Sequence, residues 1–280
     1  MIISQLLQSA VKANYRSELS QLDSELLLCH VLGMTRSFLK TWPDRPVNSA
    51  QLKQYEALVQ RRVEGEPVAY LIGTQGFWSL DLAVSAATLI PRPETELLVE
   101  VALGLSVPEQ ASVLDLGTGT GAIALALATE RSQWQICAVD VESDAVALAE
   151  RNRQQHQLDN VTIFASNWFA AIPQQRFDII VSNPPYIEAS DPHLSQGDVR
   201  FEPASALVSG SDGLDDLRLL CAQSVAYLSD GGWLLVEHGF EQGAAVRELF
   251  VEAGFSLTET HRDLNGLERL TLGRYRVANA

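Results

Sequence analysis

Apolar residues recur along this chain with two different spacings, and the change from one to the other divides it. Over residues 1 to about 72 the spacing is helical. Ile2, Ile3, Leu6, Leu7 and Val11 form one run, and Leu22, Leu26, Leu27, His30 and Val31 form a second. Asp23 and Ser24 suit the start of the second helix and Gly33 its stop. A third helix runs from Asn48 or Ser49 to about Glu64, ending before Gly65 and Pro67. Short connections make a small helical bundle the simplest account. His30 lies on an apolar face and reads as a core histidine. Residues 73–88 change character: Phe77 to Val84 alternates in part, after glycines, and predicts a β-hairpin bridging two domains.

Beyond the hairpin the pattern is strand, helix, strand, helix, which predicts an α/β domain over 89–280. Leu89 to Glu96 carries two prolines that lead rigidly into a helix, with Glu94 and Glu96 suiting its positive dipole end. Val113–Leu116, Gln135–Val139 and Val161–Ala165 read as short buried strands, with a helix from Ala122 to Thr129. Phe177 to Val181 is an apolar, β-branched run that predicts a central strand buried on both faces. A long irregular segment, Ile187 to about Gly213, follows; loops of that length in a compact domain commonly cover a site. A helix from Leu214 to Leu228, a strand Trp233–Glu237 after Gly231-Gly232, and a helix from Glu241 to Ala253 come next. Two strands, Ser256–Asp263 and Leu267–Tyr275, suit an antiparallel close.

Composition narrows the partners. The 280 residues are 46% hydrophobic and 20% charged, as in ordinary globular proteins, but the net charge is −15 and the only lysines are Lys12, Lys40 and Lys53. That is a poor footprint for a phosphate backbone, and it favours a protein or small-molecule substrate without direct nucleic acid contact. Cys29, Cys137 and Cys221 are scattered in apolar runs and read as buried thiols of a reducing cytoplasm. No Cys/His spacing suggests a metal. With neither a leader pattern nor a membrane-spanning run, the expectation is a cytoplasmic protein with no membrane partner.

Two stretches carry candidate chemistry. Gly117-Thr118-Gly119-Thr120-Gly121 joins a strand to a helix, where glycines let the backbone turn tightly and approach a ligand. Asp140, ending the next strand about twenty residues on, sits at the distance where an acid meets ribose hydroxyls. The loop lacks the third glycine of G-x-G-x-x-G, and Asp115 precedes it within the strand, which argues against a dinucleotide. Ser166-Asn167-Trp168-Phe169, after the third strand, offers an amide and an aromatic wall for an adenine; Phe169 reads better as core. The second stretch is Asn183-Pro184-Pro185-Tyr186, just past a central strand. The Asn183 side-chain oxygen and the Pro184 carbonyl can accept the two hydrogens of a planar NH2 group, and Tyr186 can stack on it. Arg92, pinned between prolines, is either poised over a site or a solvated surface residue. His238 reads as structural.

Together, Asp115 to Gly121, Asp140 and Asn183 to Tyr186 resemble the class I S-adenosylmethionine-dependent methyltransferases. Within them, Gly76 to Leu80, Leu89 to Glu96, Asn167 to Phe169 and Arg200 to Pro203 make the chain similar to the PrmC/HemK-type peptide chain release factor glutamine methyltransferases. Two mild departures are Asn167 and Glu94, where Asp is more usual. The resemblance implies a Rossmann-like class I methyltransferase sheet with a small helical-bundle domain, and S-adenosylmethionine as cofactor. It implies cofactor contacts from Gly117, Thr118, Gly119, Thr120, Gly121, Asp140, Trp168 and Asn183. Asn183, Pro184, Pro185 and Tyr186 would clamp the acceptor, with Asn183, Pro184 and Tyr186 catalytic. The acceptor would be the glutamine of the Gly-Gly-Gln motif in class 1 release factors, which the helical domain would help dock. An adenine-N6 methyltransferase shares the Asn-Pro-Pro-Tyr stretch, and a non-catalytic cofactor-binding protein is a third reading.

Overall fold

The computed structural model describes residues 1–13 and 19–276. The Val11 and Ala13 side chains, residues 14–18 of the helical stretch and residues 277–280 lie outside the described residues. The chain forms two compact units. One comprises Met1–Thr74 with Pro192–Phe201, the other Gln75–Asp191 with Glu202–Ala280.

The first unit holds helices α1 (Ile3–Ala13), α2 (Gln21–Leu32), α3 (Arg36–Thr41), α4 (Ser49–Val63) and α5 (Val68–Ile72). Ser20 caps α2, in a capping box with Asp23, and Gly33 ends the helix in the left-handed conformation. Asn48 caps α4, in a box with Gln51. The buried face of α2 is rotated from the expected stripe: Ser24, Glu25, Leu27 and Leu28 are buried, while Leu22 and His30 are exposed. Polar partners cause the rotation. The Ser24 hydroxyl is 2.5 Å from the buried Tyr55 hydroxyl, and Glu25 accepts from Arg36 Nε at 2.8 Å. His30 is therefore not a core residue; it is exposed near the carboxyl end of α2.

The unexpected member of this unit is Pro192–Phe201, which sequence places within the α/β domain. Arg62, 8% exposed, brings it in: its Nη1 donates to Asp198 at 2.9 Å while its Nε donates to Asp23 at 3.0 Å. A buried guanidinium needs such partners, and the Gly65 and Glu66 carbonyls also accept from it. The long loop is thus partly ordered as short 3-10 turns, at Pro192–Ser195, Gly197–Phe201 and Ala204–Ala206.

The second unit opens with a hairpin of β1 (Thr74–Phe77) and β2 (Leu80–Ala83), followed by α6 (Glu96–Gly104). Then come β3 (Ser112–Leu116), α7 (Ala122–Glu130), β4 (Gln135–Asp140), α8 (Ser143–His156), β5 (Val161–Ala165) and β6 (Phe177–Ser182). The chain closes with α9 (Asp215–Ser224), β7 (Leu228–Glu237), α10 (Gly243–Glu252), β8 (Ser256–Arg262) and β9 (Glu268–Arg274). The sheet order is β5-β4-β3-β6-β7-β9-β8; β5 through β7 run parallel and β9 runs antiparallel to both neighbours. Ile179, Ile180 and Val181 of β6 are fully buried, each contributing about 1.5–3 kcal/mol. β7 begins five residues earlier than its pattern suggests. Gly231-Gly232 does not stop it but forms a bulge, where the register on β6 jumps from Phe177↔Leu228 to Ile179↔Trp233.

This topology has one switch point. From β3 the chain moves outward through β4 and β5, then returns to place β6 on the other side of β3, with Leu116 beside Ser182. Ligands of open α/β sheets bind where the carboxyl ends diverge in this way.

Candidate active site

A cavity of about 230 Å3 lies at that switch point. Gly117 to Thr120, Asp140, Trp168, Asn183 and Pro185 all line it, together with Arg92, Thr95, Glu142 and Asn167.

The glycine loop is shaped by backbone demand. Gly117, Gly119 and Gly121 have φ of 72°, 55° and 86°, a region in which side chains are strained. Asp115, fully buried in β3, accepts from the Thr118 hydroxyl at 2.6 Å and the Ala124 N–H at 3.3 Å. Burial pushes its carboxyl up to about 7. Asp140 accepts from the Gly119 N–H at 2.9 Å and the Glu142 N–H at 3.0 Å, so it braces the loop as well as lining the cavity. Each carboxylate oxygen keeps acceptor capacity for a hydroxyl. Gly121 is the exception: it caps α7 and does not line the cavity. A Cβ there would crowd Leu125 and Ala149, so packing adds to the backbone's own demand for glycine.

Trp168 has φ of 48°, uncommon for a large side chain, and its ring packs over Gly117. The Ser166 hydroxyl holds that turn, donating to the Trp168 carbonyl at 2.7 Å and accepting from the Ala171 N–H at 3.0 Å. Phe169 is buried and stacks on Tyr227 with ring centres 4.7 Å apart, a core role. His238 is likewise buried, between the Gly239 carbonyl and Thr271.

The Asn183-Pro184-Pro185-Tyr186 stretch splits in two. Asn183 and Pro185 line the cavity; Pro184, which is buried, and Tyr186 are not among its lining residues. The Asn183 Nδ2 donates to Thr95 Oγ1 at 3.1 Å, and its Oδ1 has no protein partner among the described residues. The Tyr186 hydroxyl donates to Glu237 at 3.3 Å, and its carbonyl accepts from Gln242 at 2.9 Å. Arg92 is both things sequence left open: it lines the cavity, and it is partly exposed. Its Nη2 donates to the buried Glu202, whose other oxygen accepts from the Ile90 N–H at 2.9 Å.

Sequence reasoning missed four residues that build this site: Thr95, Asn152, Glu202 and Glu237. Asn152, fully buried on α8, accepts from the Ala83 N–H at 2.8 Å and donates to the carbonyls of Ala83 at 3.1 Å and Thr120 at 2.9 Å. It ties the hairpin to the glycine loop. A polar residue on the buried face of an amphipathic helix was the available signal. Among the described residues no cluster of His, Cys, Asp or Glu could hold a metal ion, and no helix is long and apolar enough to cross a membrane.

Comparison with known proteins places this geometry. Residues 5–73 match the PrmC N-terminal domain and residues 93–209 the methyltransferase small domain. A release factor glutamine methyltransferase of Pseudomonas aeruginosa is 60% identical over 256 residues, covering 91% of this chain and 93% of that protein. A protein of the same description from Escherichia coli is 51% identical over 269 residues, covering 96% and 97%. Among solved structures, a methyltransferase from Pyrococcus furiosus aligns with TM-score 0.56 at 16% identity, over 78% of this chain and 98% of that one. The hMettl16 catalytic domain in complex with a 3'UTR hairpin aligns with TM-score 0.58 at 15% identity, over 72% and 78%. These last two likenesses concern the fold alone.

Proposed function

The chain belongs to the release factor glutamine methyltransferase family, and on that premise we propose how its own residues align donor and acceptor. It is an S-adenosylmethionine-dependent protein-glutamine methyltransferase, which moves a methyl group to a glutamine side-chain nitrogen of a release factor. The cavity fits the cofactor: a glycine loop and helix start for an amino acid portion, Asp140 for ribose hydroxyls, and Trp168 beside Asn167 for a base. Once bound there, the cofactor supplies an electrophilic methyl carbon on a positively charged sulfur.

The protein's task is alignment. Asn183 Oδ1 and the Pro184 carbonyl accept the two amide hydrogens, so the nitrogen lone pair is aimed at the methyl carbon. With the cofactor bound, the methyl group would pass to the nitrogen, the demethylated thioether would leave, and the nitrogen would give up one proton to water. The observation that carries this reading is the Asn183 amide itself, whose Nδ2 is committed to Thr95 while its Oδ1 remains available at the cavity wall. Tyr186 contributes from outside the cavity by holding the stretch in place. The substrate glutamine is that of the Gly-Gly-Gln motif in class 1 factors, and the helical unit docks the factor. The net charge of −15 supports a protein substrate in the cytoplasm with no direct nucleic acid contact.

The test is transfer of labelled methyl from S-adenosylmethionine to purified release factor. A Gln→Asn form of its motif and a duplex DNA serve as controls. Label is expected on the intact factor alone; label on DNA would overturn the substrate. Asn183→Ala is expected to keep the fold and lose about 100-fold in turnover. Near-normal turnover in that variant would remove the alignment mechanism.

A further inference from the structure

Glu237 ends β7, one residue past the Val236 that pairs with Ser182, so it stands level with Asn183 on the neighbouring strand. The residue is 2% exposed, yet among the described residues no cation is hydrogen-bonded to its carboxylate. The charged groups facing it are Arg269, which is committed to Asp263 at 3.3 Å, and Glu94 in the turn before α6. What touches it are hydroxyls. Tyr186 donates to Oε1 at 3.3 Å, Thr95 stands beside the carboxylate, and Oε2 is buried with no hydrogen-bond partner among the described residues. A buried carboxylate held this way is expensive, and a packing role would be served at lower cost by an apolar side chain.

We infer that Glu237 is the positioning residue of the acceptor clamp, setting the Asn183 amide through Thr95 and the Tyr186 ring through its phenol. This rests on Asn183 being the residue that meets the acceptor. The logic is one of donors and acceptors. An ionised carboxylate only accepts, so the Thr95 hydroxyl can engage it only as donor, through its single hydrogen. Thr95 then presents only lone pairs to Asn183, and the amide must turn its Nδ2–H2 toward them, as observed at 3.1 Å. A flipped amide would set oxygen against oxygen. The carboxylate therefore fixes, two bonds away, which atom of Asn183 is left for the substrate. Tyr186 donates into the same carboxylate, so both ends of the four-residue stretch hang on one buried group.

The experiment is steady-state methylation of release factor by the full chain carrying Glu237→Gln, Thr95→Val or Thr95→Ser, each alone and with Asn183→Ala. Glutamine can donate to Thr95 and so releases the constraint, and valine removes the relay. Both are expected to lower kcat about ten-fold while KM for the factor and cofactor affinity stay within about two-fold. Thr95→Ser restores the hydroxyl and is expected to recover the rate. Neither Glu237→Gln nor Thr95→Val should cost more in the Asn183→Ala background. Wild-type kcat should also fall as pH drops below about 7, the value to which burial raises Glu237, and the Gln variant should lose that limb. Turnover within about two-fold of wild type in Glu237→Gln, with Asn183→Ala inactive, would overturn this inference alone. A fall in kcat matched by loss of cofactor affinity would make Glu237 a packing residue and also overturn it. An active Asn183→Ala would instead sink the reading beneath it.

Discussion

Asn152 offers a sharp test of how the donor site is built. Its side chain satisfies three buried backbone groups on two separate segments: the N–H and C=O of Ala83 and the C=O of Thr120. Removing it strands all three, and each buried unsatisfied group costs about 1–3 kcal/mol. Asn152→Ala leaves room for water to recover part of that, so a loss of about 3 kcal/mol is expected. Asn152→Leu admits no water and should lose more. Asn152→Asp keeps an acceptor for the Ala83 N–H but turns carboxylate oxygens toward two carbonyls in a dry site, and should be worst. Urea unfolding followed by tryptophan fluorescence reads this as a midpoint shift of about 1 M for the Ala variant. Isothermal titration with S-adenosylmethionine reads the second consequence, weaker binding because the Thr120 carbonyl has lost its anchor. A stability loss under about 1 kcal/mol, or a tolerated Asp, would refute the claim that this side chain carries the loop.

Two further outcomes follow from the same geometry. Gly213 has φ of 72°, and a Cβ there would overlap the Tyr186 carbonyl oxygen and crowd Gln242, so Gly213→Ala should displace the acceptor stretch. Turnover is expected to fall at least about ten-fold with cofactor affinity unchanged, and a fully active variant would show that Tyr186 need not be held. Burial raises Glu237 from 4.5 to about 7, so the folded state holds a proton that the unfolded chain has lost across that window. The stability tied to that proton is fully present below about pH 4.5 and lost as pH rises through about 7. Glu237→Gln should therefore gain on wild type between pH 5 and pH 8, by up to about 3 kcal/mol, in paired urea titrations. An advantage that does not grow with pH would mean that burial does not hold Glu237 above its ordinary value in the fold.

What sequence made legible, and what it hid, divides along physical lines. The glycine loop and the Asn-Pro-Pro-Tyr stretch were readable because their constraints are local. Positive φ at Gly117 and Gly119, and the end of a strand at Pro184, are properties of adjacent residues. Alternating strand and helix patterns, with right-handed crossovers, then brought Asp140 and Asn183 to one edge. The residues that hold those groups in place were hidden because they act across long separations. Thr95 meets Asn183 from 88 positions away, and Asn152 meets Ala83 from 69. Polar satisfaction also explains the misread face of α2, since Ser24 and Glu25 enter the buried side only because Tyr55 and Arg36 receive them. Apolar periodicity sees hydrophobic burial and is blind to a paired polar residue. The same blindness hid the contacts that group Pro192–Phe201 with the helices, because they run through a buried guanidinium, Arg62, and through Arg200.

The two halves of the site are therefore held by different means, and the difference suits the chemistry. The donor side is fixed by backbone: a loop of left-handed glycines, braced by Asp115, Asp140 and Asn152. Backbone so constrained has little freedom to adapt, as befits a cofactor of one invariant shape. The acceptor side is fixed by side-chain rotors, with Asn183, Thr95 and Tyr186 arranged around Glu237. An amide rotor has two orientations of nearly equal shape and opposite hydrogen-bonding character, and packing alone distinguishes them poorly. A charge distinguishes them well, because it admits donors only. For a weak nucleophile whose lone pair must be aimed, orientation is worth more than basicity. A buried carboxylate outside the cavity lining then accounts for the orientation of the Asn183 amide at its wall.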